Sequence, residues 1–398
     1  VGAGGVPRAG YRADRNNLAP RVGLAWMPRP GWAVRAGYGV FYDAGMMVVN
    51  SSFYFNPPVF NVRIAFPTPT SLLTLANPFA TAFTAAPSPN ILSADATTAY
   101  MQHWSLGVER RLSTATSAAL SYVASKGTRL IRSRDLNQPR PASGPVAARR
   151  PNPAYGGIFF AETGGNSVFH SMQAILDRRL TGAVSLVAAW TWSKSIDDTS
   201  AFLGTKPDKN FPQDSLNYHA ERGLSSFDMS HRFTAALVAQ SPFRHWAVRA
   251  AGLRLIAAAQ AGQPFTPILR FDNSNTGNTG GIFGSDRPNL IGDPRLEERG
   301  PARWFNTAAF AVAPPFTFGS AGRNIVRGPG LFTVDAGLSR RFALNERWRL
   351  VVDAQVFNLA NRAQFDLPER FADEPAAFGR IFSAKASRQV QIALRVEF

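Results

Sequence analysis

The stretch RQVQIALRVEF, residues 388–398, decides the fold class of this 398-residue chain. Its apolar side chains stand at every second position, namely Val390, Ile392, Leu394, Val396 and Phe398. Gln, Ala, Arg and Glu fill the positions between them. A period of two predicts a β-strand with one apolar face and one polar face.

The same period recurs along the whole chain. About eleven strands are predicted, most of them roughly 9–11 residues long. No segment predicts a convincing amphipathic helix. The other ten stretches with a period of two lie at 21–26, 32–40, 103–109, 117–122, 171–177, 185–193, 232–240, 253–260, 332–341 and 348–357.

Short and long connections alternate between these strands. Short links are predicted near residues 27–32, 111–116, 178–184 and 342–348, with a somewhat longer one at 240–252. Long structureless links argue against an ordinary compact domain. An outer-membrane β-barrel has short periplasmic turns and long extracellular loops. The sequence therefore predicts an all-β, antiparallel transmembrane barrel of this kind. The long links fall at 43–99, 125–168, 194–230, 262–331 and 358–387.

Charged side chains avoid the apolar row of each strand. Arg178 and Arg340 are exceptions, but both lie beside short turns, where long side chains can reach the interface. A charge facing lipid at the bilayer midplane costs about 2–4 kcal/mol. We therefore predict that the polar row lines a lumen. The predicted lumen-lining residues are Arg35, Glu109, Gln173, Asp177, Arg232, Asp335, Arg349, Asp353, Gln355 and Arg395.

Aromatic residues concentrate near the ends of the predicted strands. Such rings form girdles at the two interfaces of a barrel, although ordinary core aromatics would give a similar pattern. The predicted girdle consists of Trp26, Trp32, Tyr38, Trp190, Trp192 and Trp348.

The chain is strongly basic, with a formal charge of +17 from 43 Lys+Arg and 26 Asp+Glu. Only five of the basic residues are Lys, which leaves 43 − 5 = 38 Arg. Because the arginines are spread along the chain rather than clustered, we predict no nucleic-acid partner. Outer-membrane lipid and lipopolysaccharide are the expected anionic partners.

No chemistry-bearing motif is present. The chain has no cysteine, and its five histidines are scattered singly, without an H-E-x-x-H pattern. No P-loop and no G-x-S-x-G elbow occur. We therefore predict no enzyme activity, no cofactor and no metal. Asp197 and Asp198 offer either a calcium ligand pair or, more plainly, a solvated turn.

Nine stretches resemble the C-terminal barrel of TonB-dependent outer-membrane receptors, with the Oar-like, carboxypeptidase-regulatory-domain-bearing group as the nearest in pattern. Their order along the chain carries the resemblance. They are LAPRVGLAW (18–26), RAGYGVFYD (35–43), QHWSLGVERRL (102–112), SYVASKGTRLIRSRDLNQP (121–139), WTWSKSIDD (190–198), ERGLSSFDMSHRF (221–233), DRPNLIGDP (286–294), GSAGRNIVRGPG (319–330) and DAQVFNLANRAQF (353–365).

The resemblance implies ligand uptake and several parts that lie outside these residues. Barrels of that family have twenty-two strands, a plug and a TonB box, so residues 1–398 are expected to be the C-terminal portion of one barrel. The lumen-lining residues would then hold the plug, and TonB would act through the missing N-terminal part. Ile392, Leu394, Val396 and Phe398 resemble the C-terminal signal that the barrel-assembly machinery recognises. The bound ligand cannot be named from the sequence.

Two other functions fit parts of the pattern. One is an outer-membrane adhesion or structural protein that uses the same barrel without transport. The other is a soluble, basic, all-β carbohydrate-binding protein, which would also segregate its charges. Migration in detergent that changes on heating would oppose the soluble alternative.

Overall fold

The computed structural model of the chain describes residues 7, 10–43, 56, 86–181, 183–201, 211–242, 251–278 and 284–398. Strands dominate these ranges, together with one four-residue helix, α1 (Val146–Arg149), and two short 3-10 turns. No helix in these ranges has both the length and the apolar character needed to span a membrane.

The strands are numbered β1 to β17 in chain order, and six of them have only two or three residues. Their bounds are β1 Arg21–Trp26, β2 Trp32–Asp43, β3 Asn90–Leu92, β4 Ala99–Arg111, β5 Thr116–Asp135, β6 Phe159–Thr181, β7 Val184–Asp197, β8 Gly223–Leu224, β9 His231–Gln240, β10 Ala251–Gln260, β11 Pro264–Phe265, β12 Asn289–Leu290, β13 Phe310–Ala311, β14 Val326–Arg327, β15 Leu331–Ala343, β16 Arg349–Phe357 and β17 Gln389–Glu397.

Eleven strands form one antiparallel meander in the order β1-β2-β4-β5-β6-β7-β9-β10-β15-β16-β17. This confirms the predicted number of strands and the predicted all-β, antiparallel arrangement. The short strand β3 adds in parallel to β6, and β8 adds antiparallel to β7. Within the described part of the chain, β1 pairs with β2 alone and β17 pairs with β16 alone.

The register carries one face unbroken across the meander. Val108 lies opposite Leu120, which in turn lies opposite Ala174. Residues directly opposite on paired strands point to the same side of a sheet. The face that holds these residues is called the apolar face below, and the other side is called the polar face.

Large apolar side chains on the apolar face are open to the surroundings. Leu120 is 52% exposed although it lies in a central strand, and Leu394 of β17 is 70% exposed. Soluble proteins rarely leave so continuous an apolar surface uncovered. In a barrel wall this surface contacts lipid, which explains why β-strands of alternating character are stable without a second packed layer.

The predicted short turns at 27–32, 111–116 and 342–348 are present, whereas the links at 178–184 and 240–252 lie partly outside the described residues. In the β15–β16 link, Asn345 Oδ1 accepts hydrogen bonds from the backbone N–H groups of Arg347 and Trp348, at 2.9 Å and 2.7 Å. In the β4–β5 link, Ser113 Oγ accepts from the N–H groups of Ala115 and Thr116. Side chains that satisfy backbone donors in this way favour tight reversals.

The prediction of a long loop over residues 125–168 was wrong. Strands β5 and β6 extend into it from both ends and pair as far as Asp135 and Phe159, which leaves only residues 136–158 between them. A register shift lies between Thr128 and Leu130, where Arg129 has a φ of 57°. This bulge and the polar residues on both faces remove the period of two, so the pattern ends before the strands do.

The long connections that the structure describes are ordered, which corrects the prediction that they lack structure. The links after β10 and β16 share an aromatic core in which Phe305 contacts Phe265, Phe310 and Phe378 edge to face. Ring centroids lie 5.0–5.8 Å apart, within the range of favourable aromatic pairs. This assembly of packed connections is called the loop layer. The 43–99 link lies largely outside the described residues.

Candidate functional site: the polar face and the loop layer

The polar face collects every predicted lumen-lining residue. Register links run from Ser121 to Gln173, from Gln173 to Thr191 and from Thr191 to Arg232, and they continue in the same way to β17. The structure therefore places the predicted side chains on one side of the sheet, and their role in lining a lumen stays a prediction. The ten are Arg35, Glu109, Gln173, Asp177, Arg232, Asp335, Arg349, Asp353, Gln355 and Arg395.

Some of these residues contact one another, and others do not. Arg35 Nη1 donates to Glu109 Oε2 at 2.9 Å, and Gln355 Nε2 donates to Asp353 Oδ1 at 3.0 Å. Asp353 also pairs with Arg254, a partner that the predicted set does not include. Because these groups are largely or partly open, each pair adds at most about 1 kcal/mol. They leave a charged surface that remains available for contacts.

Other members of the set serve local geometry or stand apart. Asp335 Oδ1 accepts the backbone N–H of Asn358 at 2.8 Å, where β16 ends. Gln173 Nε2 donates to Ser171 Oγ at 3.4 Å. Arg232 makes no ion pair with the side chains that the structure describes. The predicted residues are thus spread along the sheet rather than gathered at one point.

An apolar patch on the polar face was missed by the sequence reasoning. Ile175, Val187, Val238 and Ile256 point to this side and are 42–58% exposed. Val187 lies opposite Ala236, which lies opposite Ile256, so the patch is continuous across β7, β9 and β10. The sequence does contain a sign of this patch. In AIL (174–176) and LVAA (186–189) apolar residues occupy consecutive positions, so apolar side chains lie on both faces of the strand.

The predicted girdle and assembly-signal residues share the apolar face. Trp26 and Trp32 flank the first short turn, and Trp348 flanks the β15–β16 turn, where its ring lies 5.2 Å from that of Phe398. The functions assigned to them remain predictions. The register places Trp26, Trp32, Tyr38, Trp190, Trp192, Ile392, Leu394 and Val396 on this face, and Trp348 and Phe398 lie one residue beyond the paired segments, in phase with it.

Buried ion pairs join the loops that follow β7 and β10. Arg323 pairs with Asp197, and their side chains are 4% and 1% exposed. Arg287 pairs with Glu221 in an equally buried position. Removing one partner of a buried pair leaves an uncompensated charge and costs about 3–5 kcal/mol. These pairs therefore determine how the loops are held together.

Arg323 is the most connected of these side chains. Its Nε atom donates to the carbonyl of Glu221 at 2.7 Å, and Nη1 donates to Ser200 Oγ at 3.0 Å. Its Nη2 atom donates to the carbonyl of Asp197 at 2.8 Å. A planar guanidinium with several fixed donors is suited to bridging segments in this way. One arginine thus binds two loops to the end of β7.

These contacts explain several of the sequence motifs. The ERGLSSFDMSHRF stretch supplies Glu221, and it also supplies Asp228, which pairs with Arg327 of GSAGRNIVRGPG. Gly319 of the latter stretch approaches the Arg287 carbonyl so closely that any Cβ would collide with it. Motifs that indicated only a resemblance are therefore connectors between loops. The pairing partners lie 66–126 residues apart in the sequence, a separation at which no local periodicity links them.

Neither proposed state of the Asp197–Asp198 pair is correct for Asp197. Its carboxylate is buried against Arg323 and Ser200 rather than solvated. Asp198 Oδ1 accepts the backbone N–H of Asn166 at 2.8 Å. Among the described residues, no group of three or more His, Asp or Glu has metal-binding geometry.

A second polar centre surrounds Asp286, which is completely buried. Its Oδ1 atom accepts hydrogen bonds from Ser274 Oγ at 3.0 Å and from Asn278 Nδ2 at 2.8 Å. Gln138 Nε2 donates to Asn278 Oδ1 at 3.1 Å, so the centre also holds the loop after β5. Burial raises the pKa of Asp286, and the hydrogen bonds only partly offset this effect.

We expect the Asp286→Asn variant to lose a pH dependence of loop-layer stability. The folded state holds a proton at Asp286 more tightly than the unfolded state does, because its pKa is raised. Its stabilising contribution is therefore complete below the ordinary aspartate pKa of 3.8 and falls as pH rises through the higher folded value. Hydrogen exchange of residues 271–278, corrected for intrinsic rate, would show protection that falls as the pH rises above 3.8.

The Asp286→Asn variant should exchange with a flatter pH profile, whatever its absolute stability. Glu374→Gln, at a half-exposed ion pair with Arg270 in the same layer, is the matched control. Identical slopes for Asp286→Asn and the unmodified protein would contradict the prediction.

Comparison with known proteins supports the barrel fold. The family model described as "Outer membrane beta barrel domain" matches residues 1–391. The outer membrane transporter YddB from Escherichia coli superposes with a TM-score of 0.52 at 13% identity, covering 96% of this chain. The chain spans only 40% of YddB. A comparison with curated proteins found no match.

Weaker likenesses are found to two other solved structures. The ferripyoverdine receptor of Pseudomonas aeruginosa has a TM-score of 0.46 at 9% identity, covering 95% of this chain and 32% of that one. The FrpB iron transporter from Neisseria meningitidis has 0.46 at 12% identity, covering 96% and 39%.

Proposed function

The chain belongs to the outer membrane β-barrel domain family and resides in the bacterial outer membrane, and on that premise we propose that it is the C-terminal barrel portion of a TonB-dependent receptor that takes up a ligand. The observation that carries this proposal is the two-sided meander, with a lipid-type face and a charged face across eleven strands. Membership of the Oar-like group is part of the proposal.

The polar face is proposed to hold a plug supplied by the N-terminal part of the protein. Its exposed charges, including Arg35, Arg232 and Arg349, offer ionic contacts, and the patch around Ile256 offers an apolar one. A water-filled pore would gain nothing from an exposed apolar patch, whereas a folded occupant would bury it. TonB would act on that occupant and not on the residues described here.

The C-terminal strand is proposed to recruit the barrel-assembly machinery. Its apolar row points to the lipid-type face, and Phe398 is 82% exposed at its end. Such a strand offers backbone for strand addition and an aromatic anchor for a pocket.

The loop layer is proposed to contact the ligand, because long loops on one rim of a barrel are the part that meets the medium. Its arginine excess favours an anionic ligand.

The test is binding of the full-length protein, purified in detergent, to the soluble periplasmic domain of TonB from the same bacterium. We expect binding that disappears when the TonB box is deleted. Folding of both proteins is checked by gel migration that changes on heating. A folded protein that does not bind TonB would contradict uptake and would favour the adhesion or structural alternative. Membership of an outer membrane β-barrel family argues against the other alternative, a soluble carbohydrate-binding protein.

A further inference from the structure

A cavity of about 560 Å³ opens on the apolar face, where the sheet meets the loop layer. Trp190, Phe233, Ala259 and Phe332 form its wall and lie side by side on β7, β9, β10 and β15. Phe233 is near the start of β9 and Phe332 near the start of β15, so the cavity lies at the loop end of these strands.

The cavity lies on the side of the sheet that faces lipid and not on the side that would line the lumen. Its wall belongs to the same sheet face as Leu120 and Leu394, which the register connects without a break. His231 extends the aromatic surface, since its ring lies parallel to that of Trp190 with centroids 6.0 Å apart. Amphipathic rings at the end of an apolar wall mark the level of lipid head groups.

Two arginines from different loops overhang this wall. Arg299 comes from the loop after β10 and Arg362 from the loop after β16, and both are exposed. The Arg362 guanidinium carbon lies 5.7 Å from the centroid of the Phe332 ring. The lining residues that the structure describes include no carboxylate, and neither arginine is in an ion pair with a described acid. The cavity thus joins an apolar wall to uncompensated positive charge.

We propose that this cavity binds the phosphate-bearing head group of an outer-leaflet glycolipid. Arg299 and Arg362 contact phosphate oxygens, for which the forked guanidinium is well suited. An acyl chain lies against Phe233, Ala259 and Phe332, where it replaces bulk lipid. Arg299 Nε already donates to the Leu296 carbonyl at 3.0 Å, which orients the remaining nitrogens. The site is separate from ligand uptake, and its failure would leave that proposal standing.

The experiment measures lipid A adducts on the full-length protein in detergent by native mass spectrometry. The Arg299→Gln/Arg362→Gln variant should bind lipid A at least about ten-fold more weakly, the loss expected for charge-assisted hydrogen bonds. Removing the phosphates from lipid A should weaken binding to the unmodified protein by a similar factor. Both arginines are exposed, so the double variant should still fold and keep its heat-modifiable migration. The conservative Arg362→Lys variant keeps the charge but loses the forked guanidinium, and its lipid A binding provides a second measurement.

The matched control is Arg270→Gln/Arg380→Gln. These arginines are also exposed in the loop layer and lie over the rings of Phe371 and Phe382, but they do not line the cavity. Equal losses in the two double variants would overturn the proposal. So would equal binding of dephosphorylated lipid A. Displacement of lipid A by inorganic phosphate alone would identify a free-phosphate site instead and would also overturn it.

Discussion

The Leu120→Arg variant should fail to assemble in the outer membrane. Leu120 lies on the apolar face in β5, between Val108 and Ala174, and half of its surface is exposed there. A charged side chain on the lipid side of a barrel costs about 2–4 kcal/mol at the midplane. Folded protein is measured by heat-modifiable migration of the membrane fraction, and we expect little or none.

The neighbouring substitution Ala119→Arg is the matched control, because it places the same side chain on the opposite face. Ala119 lies directly opposite Glu109, so a new arginine there meets a carboxylate rather than lipid. This variant should assemble at nearly the normal level. Equal assembly of the two variants would show that the two faces have been assigned wrongly or do not meet different solvents.

The Arg323→Ala variant should loosen the loop layer while the barrel wall stays folded. The variant leaves the Asp197 carboxylate buried without its partner, at a cost of about 3–5 kcal/mol. Three kcal/mol corresponds to roughly a hundred-fold larger population of open loops. When protease is added to intact cells, this variant should therefore be cleaved roughly a hundred-fold faster than the unmodified protein, and the cuts should lie within the loops after β7 and β10.

Two further variants separate the ion pair from a general effect of losing an arginine. Arg12 also joins distant segments, but its pair with Asp95 is 70% and 71% exposed, so Arg12→Ala should change cleavage little. The double variant Asp197→Asn/Arg323→Gln removes the unpaired charge and should be cleaved more slowly than Arg323→Ala. Cleavage of Arg12→Ala as fast as that of Arg323→Ala would contradict the role given to the buried pair.

The number of strands and the face to which each side chain points could be predicted, because both follow from residues that are neighbours in the sequence. The alternation around Leu394 or Val108 is a local property, and lipid penalises any charge in the apolar row. Prediction failed where that constraint ends. Beyond Thr128, strands β5 and β6 remain paired, but polar residues lie on both of their faces. The alternation of apolar and polar residues that identifies a strand in the sequence is therefore missing there.

Alternation within each strand was therefore enough to predict an outer-membrane meander with one lipid-type face and one charged face, because the solvent acts on each strand separately. Which loop residues meet could be seen only in the folded chain. Arg323 reaches Asp197 across 126 positions, and Gln138 reaches Asn278 across 140. The cavity beneath Arg299 and Arg362 arises in the same way, from loops that follow different strands. Such contacts depend on how loops fold over one rim, and no local period encodes that arrangement.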